Sequence, residues 1–196
     1  MEDQILDSSL SQQETSNPDT LIYSTFWTRL AAAILDGLIA GALGVCLVLI
    51  GLFNTNLYYI TAPIQIAFVL FYHIYLVQAK GATPGKMAMN LKIIKTDGTA
   101  VDLKSAIMRY LPTLIISVIS QLITLSSIAS IDADVYGDLS WMQKMQHLST
   151  INPTASSMVQ YAYWAWLVVD TIVFFTNTEK RALHDKIADT VVITTR

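Results

Sequence analysis

The sequence is short of charge. Asp, Glu, Lys and Arg make up only 14% of its 196 residues, where a soluble domain carries about 25%. With 53% hydrophobic residues and a mean hydropathy of +0.47, the shortage points to lipid as the main solvent. Cysteine is nearly absent as well. Cys46 stands alone in an apolar run, so there is no disulfide framework and no cysteine metal site, and it reads as a small packing residue. A net charge of −3 with no basic domain argues against a nucleic-acid partner. The stretch from Met1 to about Ser24 holds five acids and no basic residue. It therefore lacks the basic start of a cleaved signal peptide and reads as a mobile acidic cytoplasmic tail, residues 1–24. Residues 25–196 then form one unit. No internal repeat is visible, hence no sign of the inverted halves of many transporters.

What is present is four long apolar stretches, at about 26–53, 57–79, 105–130 and 156–177. Each meets the roughly 20 residues needed to cross a hydrocarbon core about 30 Å thick. Asn54, Thr55 and Asn56 suggest a tight turn that makes the first two spans a hairpin. Of the twelve basic residues, all but Lys144 fall in the second connection, at the adjoining span ends or in the C-terminal tail. Positive residues mark the cytoplasmic side. The fold class that follows is an all-α membrane protein: a four-helix transmembrane bundle with both termini cytoplasmic. Localisation would be a cell inner membrane, multi-pass, with the lipid bilayer as the first partner.

The second connection has structure of its own. Thr83 can cap a helix, with Pro84 at its first position and Gly85 and Lys86 following. Met87, Met89 and Leu91 would then lie along the membrane surface. The run from Gly81 to Lys86 is not a phosphate loop, because its glycines are one residue too close and Met87 replaces the Ser or Thr. Leu91 to Lys95 is strand-like, and Thr190 to Thr195 is a second β-branched run on the same side. A small cytoplasmic β-sheet joining them would satisfy both backbones. In the outer connection, Asp132, Asp134 and Asp138 beside Gly137 lack the closing Glu of a calcium loop and read as a solvated loop. Leu139, Met142 and Met145 suggest a short helix on the outer surface, and the aromatics of Tyr161 to Trp166 an outer belt.

Ionisable groups within spans cost about 2.5–3.5 kcal/mol each on insertion scales, so they carry most of the functional information. Asp36 lies about 15 Å along the first span and Asp170 about 10 Å from the end of the fourth, both in the inner half. His73 is similarly shallow on the second span, and Arg29 and Arg109 sit at the rims of the first and third. Arg29 and Asp36 share a helix face but are axially too far apart for an easy contact, so each should find a partner on another helix. A rim arginine also commonly snorkels to headgroups, a shallow histidine commonly packs, and an intramembrane aspartate can simply hold a bundle together. Gly37 and Gly41 permit close helix approach, either within the bundle or in a homo-oligomer.

Three motifs in order now resemble the RDD family. They are Arg29 with Asp36 seven residues on; the turn Gly81, Thr83, Pro84, Gly85, Lys86 with Leu91 to Ile94; and the run Arg181 to Asp185, continuing through Ile187, Ala188 and Thr190. The similarity spans about Phe26 to Ile193. Asp189 departs from it, since similar proteins often carry Gly there, and so do the four spans with a long outer connection, where the family minimum is fewer. The resemblance implies a bacterial-type integral membrane protein whose named Arg and two Asp are Arg29, Asp36 and Asp185. Transport is the role usually suggested for the family. The expectation is movement of a small cation or a proton-coupled solute. Asp36, Asp170 and His73 would form the ion-binding site, and Arg29 with Asp185 a charge pair at the cytoplasmic side. The alternative is a non-transporting accessory or assembly protein in which the charges only fix packing. No nucleophile–base pair or cofactor fingerprint suggests an enzyme.

Overall fold

The computed structural model describes residues 22–53, 55–131, 136 and 139–195. The acidic tail up to residue 21, Asn54 of the first turn, and Asp132, Asp134, Gly137 and Asp138 of the acidic loop lie outside them. Four helices are long and apolar enough to cross a membrane: Phe26–Gly51, Asn56–Lys80, Leu103–Ala129 and Pro153–Thr176. As secondary structure they are α1 (Phe26–Phe53); α2 (Thr55–Leu70) continuing through a π turn (Phe71–Tyr75) into α3 (Leu76–Lys80); α5 (Leu103–Ala129); and α7 (Pro153–Thr176). The short helices α4 (Pro84–Ala88), α6 (Trp141–Ile151) and α8 (Leu183–Ile187), and strands β1 (Leu91–Lys95) and β2 (Thr190–Thr194), fill the connections.

The expected sheet forms. Strands β1 and β2 are antiparallel, with Ile93 opposite Val192. The segment before α1 joins the far edge of β2: Ser24 N–H bonds the Val192 carbonyl at 3.1 Å, and Thr194 N–H the Ile22 carbonyl at 2.9 Å. This ties the start of the bundle to the end of the chain. Ile93, Val192 and Leu91 pack with Ala32, Val77 and Ala106 from three spans into one core, so the sheet is seated on the bundle. Leu91 therefore does not face the membrane surface as expected. It is buried with Met89 beside it, and Met87 alone of the three is exposed.

The turn from α3 into β1 depends on two glycines. Gly81 ends α3 in the left-handed region, φ 72°, where a side chain is strained. Gly85 lies so close to α1 that a Cβ there would sit 2.4 Å from the Ala32 carbonyl oxygen and 2.7 Å from the Asp36 carboxyl carbon. Gly37 and Gly41 behave differently. A Cβ on either would meet nothing within 4 Å, so among the described residues they serve no close packing within the bundle. At the end opposite the sheet, Tyr58, Ala62 and Ile128 form a second core with Leu148 of α6. Tyr161 and Trp166 lie eight and thirteen residues into the 24-residue α7, mid-span rather than in an outer belt.

Candidate functional site

Every span contributes a polar group to one layer at the sheet end. Arg29, one turn into α1, turns back toward the sheet, as helix geometry favours for a side chain near an N-terminus. Its Nη1 donates to Asp185 Oδ2 at 2.6 Å and its Nε to Ser24 Oγ at 2.7 Å, while the guanidinium lies 4.9 Å from the Phe174 ring centre. Its side chain is 13% exposed, so it does not snorkel. The pair expected from the motif is formed.

Asp185 has a second arginine. Arg109 of α5 pairs with its Oδ1, and the Ala182 N–H donates to Oδ2 at 3.0 Å. Asp185 is wholly buried. Burial pushes its carboxyl upward, but Arg109, Arg29 and the Ala182 N–H together hold it well below the usual carboxylate range. Arg109 Nη1 also donates to Thr190 Oγ1 at 2.6 Å, locking β2 against α5. Two arginines from different spans thus converge on one carboxylate in the tail.

Asp36 takes no part in that cluster. Its Oδ1 accepts from Tyr72 Oη and from Gly85 N–H, both at 2.7 Å, and its Oδ2 accepts from Thr83 Oγ1 at 2.6 Å. Lys86 Nζ stands 3.7 Å from Oδ2. Thr83 therefore does not cap α4 with its own hydroxyl, as the sequence suggested; Asp36, 47 residues earlier, caps it instead. A carboxylate at a helix N-terminus satisfies orphan N–H groups and meets the positive end of the helix dipole. The π turn, closed by Leu76 N–H to the Phe71 carbonyl, carries Tyr72, which reaches Asp36, and His73, which stacks on Tyr110 with ring centres 4.4 Å apart.

Asp170 repeats the arrangement on α8. Its Oδ1 accepts from the backbone N–H of His184 at 2.9 Å and lies 2.8 Å from His184 Nδ1. His184 Nε2 is 3.0 Å from Arg109 Nη2. Arginine can only donate, so Nε2 accepts and Nδ1 carries the proton toward Asp170. Asp36 and Asp170 share the layer but no hydrogen-bonding partner among the described residues. They cap two separate short helices rather than forming one paired site. Among those residues, no three His, Cys, Asp or Glu side chains come together to hold a metal.

Between the two halves of the layer lies a cavity of about 150 Å³, lined by His73, Thr83, Lys86, Arg109, Trp166 and His184 among others. Burial, and then the neighbouring Arg109 charge, bring the Lys86 ammonium down to about 8, against the opposing pull of Asp36 and Asp185. Sequence reasoning left Arg109 unassigned and did not single out His184 or Tyr72. An arginine six residues inside a span was a usable signal for the first. Tyr72 is one of nine tyrosines and carried none.

The family model described as RDD family matches residues 23–189, most of the chain. No curated protein and no solved structure matches. The matched range contains Arg29, Asp36, the turn from Gly81 to Lys86, and Asp185, the residues that build the layer. The chain belongs to the RDD family.

Proposed function

We propose that the protein carries a small solute across a bacterial inner membrane in company with a proton, with the sheet end of the bundle in the cytoplasm. One observation carries this reading: the chain Asp170–His184–Arg109, in which a histidine is hydrogen-bonded between a carboxylate and an arginine on the wall of a cavity. Histidine is the side chain suited to changing charge within the physiological range. Protonation at Nε2 would break its bond to Arg109 and turn that nitrogen toward Asp185 Oδ1, now 3.5 Å away. Proton uptake would thereby rearrange the contacts that hold α8 to α5. Of the two forms of the transport idea, proton coupling is favoured over a cation held by Asp36 and Asp170. The acceptor positions of Asp36 are already taken by Tyr72, Thr83 and Gly85.

A second reading is that of a non-transporting accessory protein. It is favoured by the way both span carboxylates serve as helix caps, which is a packing role. Proton uptake into vesicles reconstituted with the purified protein separates the two. Transport requires solute-dependent proton movement that falls at least about tenfold in His184→Gln, while the variant melts within a few degrees of the parent. Absence of any solute-dependent proton movement across a broad solute panel, from a correctly folded parent protein, would leave the accessory role.

A further inference from the structure

Three cavities follow one another along a single face of α5. Arg109 and Thr113 line the 150 Å³ cavity at the sheet end. Ser117, Gln121 and Thr124 line a second of about 500 Å³, and Thr124 and Ser127 a third of about 160 Å³ at the far end. Arg109, Thr113, Ser117 and Gln121 recur at every fourth residue, the spacing that keeps side chains on one helix face. In a span this apolar, an unbroken polar row costs stability unless it faces partners or a polar space.

The linings have a consistent sign. No carboxylate lines any of the three cavities among the described residues. At the sheet end each basic or hydroxyl group on the wall is backed by a carboxylate on its far side: Lys86 and Thr83 by Asp36, Arg109 by Asp185, and His184 by Asp170. The cationic groups Lys86 and Arg109 thus line the space with the carboxylates behind them, while Thr83 and His184 give their own hydrogens to Asp36 and Asp170. In the middle cavity, Tyr58 Oη donates to Gln121 Oε1 at 2.6 Å, and Gln121 Nε2 donates to Gln65 Oε1 at 2.9 Å. That chain ends at Gln65 Nε2, a buried amide nitrogen with no acceptor. An orphan buried donor is costly, and an acceptor arriving in the cavity would relieve it.

Resting on the transport reading above, we infer that the solute is a small monovalent anion, bound first between Lys86, Arg109 and His184 and then passed along the polar face of α5. Charge balance supports the pairing with a proton. Arg29, Arg109 and Lys86 match Asp36, Asp170 and Asp185 one for one while His184 is neutral. One anion and one proton on His184 enter together without net change. The groups facing that imidazole are Asp170 of α7, Asp185 of α8 and Arg109 of α5, with Lys86 and His73 across the cavity.

Trp166 on the cavity wall provides the probe. The full chain, with Trp27, Trp141 and Trp164 changed to Phe, is titrated in detergent with potassium iodide, ionic strength being held constant with potassium gluconate, whose anion is too bulky for the cavity. Iodide should quench Trp166 to a plateau, and chloride or formate should compete. The half-saturating concentration should rise at least about tenfold in Lys86→Gln, recover in Lys86→Arg, and stay put in Lys92→Gln, where a lysine of the exposed strand face is removed. If Lys86→Gln does not fold, Thr113→Val serves in its place, with the same direction expected. Quenching that rises linearly, without competition and equally in all variants, overturns the anion site. Proton-coupled flux in vesicles with such linear quenching would also sink it while leaving transport intact. Saturable, competed quenching without flux would keep the anion site and sink transport.

Discussion

Asp185 is the residue on which the sheet-end layer turns. A buried ion pair is weak evidence of net stabilisation, but removing one partner leaves uncompensated buried charge at a cost of about 3–5 kcal/mol. Asp185→Asn strands both Arg29 and Arg109, so destabilisation in that range is expected, read as a lowered melting temperature of the detergent-solubilised protein. The sign of the pH dependence follows from the lowered folded-state value. The contribution is fully present above the unfolded carboxyl value of about 4 and is lost as pH falls toward the folded one, so the variant should lack that acid-sensitive part. The Arg29–Asp185 pair was legible because both residues belong to one motif set and lie near one interface. Arg109 was not, since a rim arginine ordinarily reaches headgroups, and its depth of six residues inside α5 was the one sign that it turns inward. Asp189 shows the reverse case. Its φ of 51° lies in the left-handed region, a conformation that suits glycine, and here Arg181 Nη2 reaches its carboxylate at 3.1 Å.

Among the elements, α4 and α8 are each too short to be stable alone, and each is docked by a carboxylate from a span. The sequence marked the start of α4 correctly at Thr83 and Pro84 but could not supply its cap, because Asp36 arrives from another helix and only tertiary packing decides that. The π turn was likewise illegible: its Phe-Tyr-His-Ile-Tyr run has no breaker, and Pro63 lies eight residues before it. Gly85 tests the docking. Alanine there would force its methyl against the Ala32 carbonyl, backbone that cannot yield, so destabilisation of about 3 kcal/mol is expected, with faster tryptic cleavage after Lys86. Gly37→Ala, on the same helix α1 but with open space around it, should be neutral or stabilising by up to about 1 kcal/mol. Equal effects at the two positions would mean that α4 is not held against α1.

At the scale of the molecule, the four spans were readable to within about three residues because length and hydropathy alone decide them. The sheet was readable because two β-branched runs needed partners at the same end. The order of the bundle then fixes which groups lie together. The end of α3 and the starts of α1 and α5 pack against the sheet and the end of α7 against α8, while α6 closes the opposite end. Which end faces the cytoplasm is a separate matter, and the basic residues bear on it. Those of the second connection crowd the sheet end, and among the described residues Lys144 alone stands at the other. Lys144 is moreover buried on α6, its ammonium 5.0 Å from the Tyr136 ring centre, so it is a poor counterweight in an orientation rule that counts positive charge near span ends. Ser140 and Thr99 report on the two ends. Both are exposed, one before α6 and the other after the Asp97–Gly98 turn, so failure to label would reflect the membrane and not burial. With Cys46 changed to Ala, a membrane-impermeant maleimide added to intact cells should modify Ser140→Cys at once and Thr99→Cys only after permeabilisation. The reverse pattern would place the sheet, Lys86 and the donor-lined cavity on the outside, and proton uptake from the cytoplasm through His184 would be lost with it.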